Sequence, residues 1–323
     1  MHRRDWLKGA VAWGSAGLIG CSAERGVLAL GVHPWPGYES LFLAEQFGWI
    51  PTAVQLRKGR RAGDSLAALA EGSLDGAAIT LDEMMRARTE GLPLVAALVF
   101  NDSIGADAVL VRPEIREWSH LVGRRVAVEH SGTGELVLSK LLELSGLRRD
   151  ELKVLDIPPD GQVRAWQEGR IDAAVTYEPV ASRLTALGAR RLLDSSAFPD
   201  LILDVLAVRR DRVAGRDEAL RGLVASHFRA LEHLRVSPDD ALRRIAAWRG
   251  TTVEAVRRSF SGLELPGLER NHAYLSGAAP KLARTAAAVN RVLVAGGLVA
   301  RGDDLKDLAD GRWLPTEPVG DLR

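Results

Sequence analysis

A single cysteine, Cys21, occurs in 323 residues, so the chain cannot close a disulfide within itself. Beyond the N-terminal segment no apolar stretch approaches the ~20 uninterrupted residues that span a bilayer. Neither sign of charge is in excess: 43 Lys and Arg stand against 42 Asp and Glu. Removing residues 1–20, with Arg3, Arg4 and Lys8 against Asp5, leaves 40 against 41. A balance so near zero gives no electrostatic case for nucleic acid as a partner. The seven histidines are scattered, with no H-x-x-x-H or H-E pairing, so no metal site is expected and no cofactor is called for.

What is present begins with an export signal. Arg3-Arg4-Asp5-Trp6-Leu7-Lys8 reads as a twin-arginine motif, residues 10–19 as a short h-region, and Leu18-Ile19-Gly20-Cys21 as a lipoprotein cleavage box. Cys21 is then a lipidation site, and residues 1–21 are a signal that leaves the mature chain anchored at the bacterial cell envelope. The remaining length suggests two domains, and 46% hydrophobic residues are enough to build their cores.

The stretch around which the rest is organised is Gly31-Val32-His33-Pro34-Trp35-Pro36-Gly37-Tyr38-Glu39. It follows the apolar run Val27-Leu28-Ala29-Leu30 and precedes a helical segment at 40–47. A strand ending in such a turn places Trp35, Tyr38 and Glu39 at a sheet's carboxyl edge, where open α/β sheets bind ligands. Strands at 53–56 and 74–80 with a helix at 65–71 continue a β-α-β-α pattern, which predicts a parallel sheet.

Glu71-Gly72-Ser73-Leu74-Asp75-Gly76-Ala77 recurs as Glu168-Gly169-Arg170-Ile171-Asp172-Ala173-Ala174. In each copy a glycine ends a helix and an aspartate opens a buried strand, so the chain should hold two similar α/β lobes. At equal offset Thr80 matches Tyr177, and both strands should end in a hydrogen-bonding side chain at the carboxyl edge. Strands are expected at 94–100 and 108–111, with Arg112-Pro113-Glu114 as the exit from the first lobe. The second lobe then starts with the segment 121–129 and runs through strands at 153–157, 173–176 and 191–193, and the apolar segment 202–208 returns to the first. From Asp217 the pattern is helical, and this block should cover the first lobe's outer face.

These residues resemble the substrate-binding proteins of ABC importers of the nitrate, taurine and alkanesulfonate group, which also includes pyrimidine-precursor binders. The resemblance rests on Trp35-Pro36-Gly37-Tyr38, Ala70-Glu71-Gly72 with Asp75, Ser103-Ile104-Gly105-Ala106-Asp107, Gly123 through Glu129, and Glu168 through Pro179, in that order along the chain. It implies a type II periplasmic-binding-protein fold of the α/β class: two lobes with mainly parallel sheets, a two-stranded hinge and a C-terminal helical block. The expected division is 27–111 with 205–323 as lobe one, and 112–204 as lobe two. Residues 27–210 carry the likeness; the remainder follows it only in helical pattern.

Candidate ligand contacts are Trp35, Tyr38, Glu39, Thr80, Asp82, Asp102, Ser103, Ser131, Gly132, Thr133, Tyr177 and Glu178. Ser131-Gly132-Thr133-Gly134 lies between a strand and a helix; its N–H groups could cradle an anionic group, and a plain capped βα turn explains it equally. Thr80-Leu81-Asp82-Glu83 is a capping box, which alone accounts for Thr80 and Glu83. Asp102, Ser103 and Asp107 fit either turn chemistry or a cleft. Glu39, Asp82, Asp102, Glu129 and Glu178 fall near strand ends, and no Lys or Arg stands at the matching positions. A cleft of that sign favours a nitrogen-containing ligand (an amine, zwitterion, amidine or heterocycle) over the bare sulfonate the resemblance also admits.

The leading expectation is a monomeric, non-catalytic periplasmic lipoprotein that delivers a small polar molecule to an inner-membrane ABC permease. Two alternatives remain: an enzyme on the same fold, of pyrimidine- or menaquinone-precursor type, and a ligand-sensing partner of a membrane receptor. The cysteine-rich motif of the pyrimidine enzymes is absent.

Overall fold

The computed structural model describes residues 26–130 and 133–317. The export-signal reading of residues 1–21, with Cys21, lies outside the described residues, as do Ser131 and Gly132.

Among the described residues eleven strands form two sheets: β1 (Leu28–Val32), β2 (Val54–Lys58), β3 (Gly76–Thr80), β4 (Leu94–Ser103), β5 (Ala108–Val111), β6 (Arg125–Val128), β7 (Lys153–Asp156), β8 (Ala173–Thr176), β9 (Arg190–Asp194), β10 (Leu203–Arg209) and β11 (Leu263–Glu264). The first sheet has the order β11-β4-β10-β3-β1-β2 and the second β7-β6-β8-β5-β9. The apolar composition of β1, β3, β4 and β10, nearly all buried, is that of strands covered on both faces. In the first sheet β1 to β4 share one direction, with β10 and β11 reversed. In the second, only β5 runs against the rest.

Helices α1 (Glu39–Gln46), α2 (Ala62–Glu71) and α3 (Leu81–Thr89) pack on the first sheet, and α4 (Gly134–Ser145), α5 (Pro159–Gln167) and α6 (Val180–Ala186) on the second. After the short α7 (Arg210–Val213) come α8 (Asp217–Val236), α9 (Pro238–Arg249), α10 (Val253–Ser259), α11 (Leu268–Leu275) and α12 (Lys281–Ala295). This block covers the first lobe, with α8 against α1 and α11 against β4. It also reaches the second lobe, because α12 touches α4 as well as α3. The apolar core is accordingly continuous between lobes: Leu136 and Leu138 of α4 belong to the same buried cluster as Leu282 and Leu293 of α12.

The repeated Glu-Gly motif has the same job in both lobes. Gly72 and Gly169 take left-handed φ values of 77° and 65°, which glycine adopts without steric cost. Asp75 then receives the Ala29 N–H at 2.9 Å on its carboxylate while its own N–H donates to Ala29 O at 2.8 Å. Asp172 does the same to Arg125, at 2.9 Å and 2.8 Å. Each aspartate therefore stitches its strand to a parallel neighbour, β3 to β1 and β8 to β6. Asp75 is buried and also holds Arg212 and Arg216 at 2.9 Å and 3.0 Å. Asp75→Ala should lower the unfolding free energy by about 2 kcal/mol, the scale of hydrogen bonds to a buried charged group. Asp172→Ala, beside the half-exposed Arg125, should cost less; urea denaturation of the two variants orders them.

The chain crosses between lobes at 104–107 and 195–202, one residue of each segment bonded to the other through Ser195 N–H and Asp107 O at 2.9 Å. A third segment lies against the first: Ile104 N–H donates to Gly262 O at 2.7 Å, and a Cβ on Gly262 would fall 2.5 Å from Ala106 N.

The expected first boundary, at 111, is corrected by this topology. Ala108–Val111 pairs with β8 and β9 and so opens the second lobe. A short buried strand carries no local mark of which sheet receives it. The break at Arg112-Pro113-Glu114 is a turn inside lobe two, where the Arg112 guanidinium stacks 4.0 Å from the Trp166 ring and donates to Trp166 O. Among the described residues no helix is long and apolar enough to cross a membrane.

Candidate functional site

Both sheets point strand ends at a cavity between the lobes, with about 420 Å³ of empty space, part of it open to solvent. From the first lobe it is lined by His33 and Trp35 after β1, Ala62 at the start of α2, and Thr80 and Glu83 at the start of α3. The second lobe contributes Glu129, Thr133 and Tyr177, the crossovers Asp107 and Ile202, and β10 of the first sheet Asp204.

Trp35 is placed by the turn that follows it. Residues Pro36–Tyr38 make one tight helical turn with proline at its first position, where no N–H is needed. The indole Nε1–H donates to Asn101 Oδ1 at 3.0 Å, and the ring meets Tyr177 of the other lobe edge to face at 5.2 Å, a favoured aromatic geometry. Trp35 and Tyr177 thus form an aromatic contact across the cleft. Gly37 is required here, since a Cβ would lie 1.6 Å from Asn101 Oδ1.

Four carboxylates, Glu83, Asp107, Glu129 and Asp204, face this space, and no Lys or Arg lines it among the described residues. Desolvation raises the Asp107 pKa to about 7, helped by the like charges of Asp204 and Asp82 and opposed by the Ser103 hydrogen bond. Desolvation likewise lifts Asp204 to about 6, restrained by hydrogen bonds from Tyr38 and Asn101. Glu83 is held well above the carboxylate range by burial and then by Asp82. Burial lowers His33 to about 4, leaving it neutral. Asp107 Oδ2 and His33 Nδ1 are buried atoms with no hydrogen-bond partner. Buried acids gathered against aromatic faces, with Asp107 Oδ2 still open to a donor, are suited to receive positive charge and N–H donors.

Of the residues singled out in the sequence, the structure brings Trp35, Thr80, Thr133 and Tyr177 to the cavity wall. Thr133 Oγ1 meets Thr80 Oγ1 at 3.0 Å and Asp82 Oδ1 at 3.3 Å, closing the cleft between the two lobes. The capping box is present too, with Thr80 N–H donating to Glu83 Oε2 at 2.9 Å, so Glu83 caps a helix and lines the cavity at once. Ser131 and Gly132 lie outside the described residues.

The remaining candidates do not line the cavity. Tyr38 is fully buried beneath it, its hydroxyl donating to Asp204. Glu39 turns away to pair with Arg249 of α9, and Asp82 is covered by Thr133. Asp102 faces Tyr274 at 3.5 Å, in a cluster with Asp200 and Lys281. Ser103 bonds Ser195 across the two crossover segments at 2.8 Å, and Glu178 accepts from Ser182 Oγ at 3.0 Å at the head of α6. Among the five acids read as cleft acids, only Glu129 lines the cavity; Glu83, Asp107 and Asp204 supply the rest. Asp204 had a usable signal, a lone acid inside the apolar run 202–208, since a buried charge asks for a partner.

Two α/β lobes, two crossovers and a closed cleft with the site between them define the periplasmic-binding-protein class. The chain belongs to the NMT1-like family, whose profile matches residues 22–249. It is similar to the taurine-binding periplasmic protein of Escherichia coli K12, 24% identical over 229 residues and covering 69% of each chain. Among solved structures it resembles the periplasmic aliphatic sulphonate binding protein SsuA from Escherichia coli, with a TM-score of 0.72 at 18% identity over 88% of this chain and 97% of that one. The desulfurization enzyme DSZB matches with a TM-score of 0.63 at 18% identity, over 88% and 97%. Binding proteins and an enzyme thus share this fold, and the site must separate them.

Proposed function

We propose that this chain is the lipid-anchored, extracytoplasmic solute-binding component of an ABC importer, a monomer that closes on a small cationic or zwitterionic nitrogen compound and delivers it to a membrane permease. One observation carries the ligand class: four carboxylates and two aromatic rings meet between the lobes with no Lys or Arg among the described lining residues and His33 neutral. A bare sulfonate would meet like charge there. A zwitterion of the taurine kind, bound by a relative, would set its ammonium against the acids and its anionic end toward a helix N-terminus. Amidines and aminated heterocycles fit through N–H donors to Asp107 and through the ring faces. Cys21 is the proposed attachment point for lipid.

A thermal-shift panel of amines, amidines, amino acids, sulfonates and pyrimidines tests this reading with the mature protein. The right ligand at about 100 times its Kd adds about 2.7 kcal/mol of stability, which raises Tm by about 4 °C in a protein of this size. Preferential stabilisation by sulfonates that lack an amine would sink the ligand class. Conversion of a hit, followed by mass spectrometry in the same samples, would mark an enzyme instead of a carrier.

A further inference from the structure

Asn101 of β4 stands opposite Asp204 of β10, and Asp204 stands opposite Thr80 of β3. Residues directly opposed in antiparallel strands share a face with Cβ atoms about 5 Å apart, so the three polar side chains make a row across the sheet at the cavity floor. Thr80 and Asp204 line the cavity; Asn101, with no exposed surface, lies behind them.

The hydrogen bonds of Asn101 have a forced direction. An indole N–H only donates, so the amide oxygen must face Trp35 Nε1 at 3.0 Å. The amide NH2 must then face Asp204 Oδ2, which it does at 2.7 Å. A proton on Oδ2 would confront the amide's own hydrogens, and a proton on Oδ1 would require Tyr38 to give up its donation. Around Asp204 the acids Asp82 and Asp107 and the phenols of Tyr38 and Tyr177 interact with it electrostatically. The acids favour a shared proton somewhere in the group, and the donations from Asn101 and Tyr38 disfavour its residence on Asp204.

We infer that Asn101, without touching the ligand, is the positioning residue that sets the charge selectivity of the cleft: one amide fixes the Trp35 ring and keeps Asp204 an anion beside it. Gly37 belongs to the same device, because any side chain there would displace the amide. The inference rests on the cationic-ligand reading and gives it a source, since a floor with a fixed negative charge accepts an amidinium and rejects its neutral isostere.

The test pairs a ligand-free measurement with a ligand-based one. In wild-type protein the 15N-resolved Trp35 indole proton, assigned through Trp35→Phe, should be shifted downfield and slow to exchange. In Asn101→Leu it should move upfield and exchange at least tenfold faster. In Asn101→Asp the new carboxyl, buried against Asp204, should keep its proton well above the usual carboxylate range and match the amide in shape and donor, so the resonance should hold the wild-type position at neutral pH and move as the pH is raised. In parallel, calorimetry with benzamidine and benzamide should give a wild-type preference for the cation of thirtyfold or more that falls below threefold in Asn101→Leu. If Asn101→Leu does not fold, Gly37→Ala, which pushes on the amide oxygen, should give the same pair of changes. An unchanged indole resonance in a folded variant, or an unchanged cation preference, overturns the role of Asn101. Failure of benzamidine to bind wild type, with the indole changes as stated, removes amidines from the ligand class and overturns the charge-selectivity role, leaving Asn101 as the residue that positions Trp35.

Discussion

Replacing Asp107 and Asp204 together by asparagine should weaken binding of the best amine or amidine from a thermal-shift panel by about 1,000-fold, since truncating one side of a buried charge pair costs 2–5 kcal/mol. Both residues line the cavity and both are at least 95% buried, at 5% and 2% exposure. Water cannot stand in for the lost charge at such depth. Asparagine keeps the shape, so the loss measures charge and not packing. The single variants should differ. Asp107 has an unpartnered oxygen to offer, whereas Asp204 is also tied to Tyr38 and Asn101. Asp107→Asn should therefore reduce affinity with little change in unfolding free energy, and Asp204→Asn should reduce both. Isothermal calorimetry and urea denaturation on the three variants decide it; a loss below tenfold in the double variant would remove the acids from the binding account.

Acidification should stabilise the empty protein and weaken its hold on a cation. Asp107, Glu39 and Asp102 each have a folded-state pKa raised to about 7, chiefly by burial, and Asp204 to about 6. A raised carboxyl pKa means that the folded state binds more protons than the unfolded chain, so the unfolding free energy falls as pH rises through the folded value. His33 and His227 work in the opposite sense, but their values are lowered to about 4 and about 3, and their contribution is complete once pH passes the ordinary histidine value of about 6.5. Between pH 6 and 8 the carboxyls lose about 4.5 kcal/mol and the two histidines return about 1.5 kcal/mol as the unfolded chain gives up their protons. At about 1.4 kcal/mol per unit of pKa, the empty protein should lose about 3 kcal/mol over that interval. A bound cation favours the ionised acids, so affinity should rise over the same range, with protons released on binding. Calorimetry in two buffers of different ionisation enthalpy reads the proton count. A flat stability profile with no proton release would contradict the ionisation pattern.

The parts of this molecule that were legible in its sequence are those set by local rules. The Glu-Gly-x-x-Asp repeat announced two lobes because a helix stop and a strand start need the same residues wherever they occur. Trp35, in a Pro-Gly turn off a buried strand, was placed at the cleft by its position alone. What escaped was decided by partners far along the chain. Tyr38 and Glu39 sit one and two residues beyond Gly37, yet Asp204 and Arg249 draw them into the scaffold. Asp102 was drawn to Tyr274 of the helical block, and Asp107 lines the cavity because a crossover brings it there. A sequence shows that acids gather near strand ends; which of them remain unpaired depends on contacts between residues a hundred or more positions apart.

The placement of β10 has a consequence for how the chain assembles. This strand lies between β3 and β4, which do not bond to each other, and it is made only after the whole second lobe. The first sheet therefore stays split, with two apolar edges exposed, until residue 209 has left the ribosome. Sheet pairing over such sequence separation is slow, and unpaired edges invite aggregation while it lasts. The lobes are unequal in assembly: a cut at either crossover leaves the second sheet whole and divides the first, whose β10 and β11 lie beyond both crossovers.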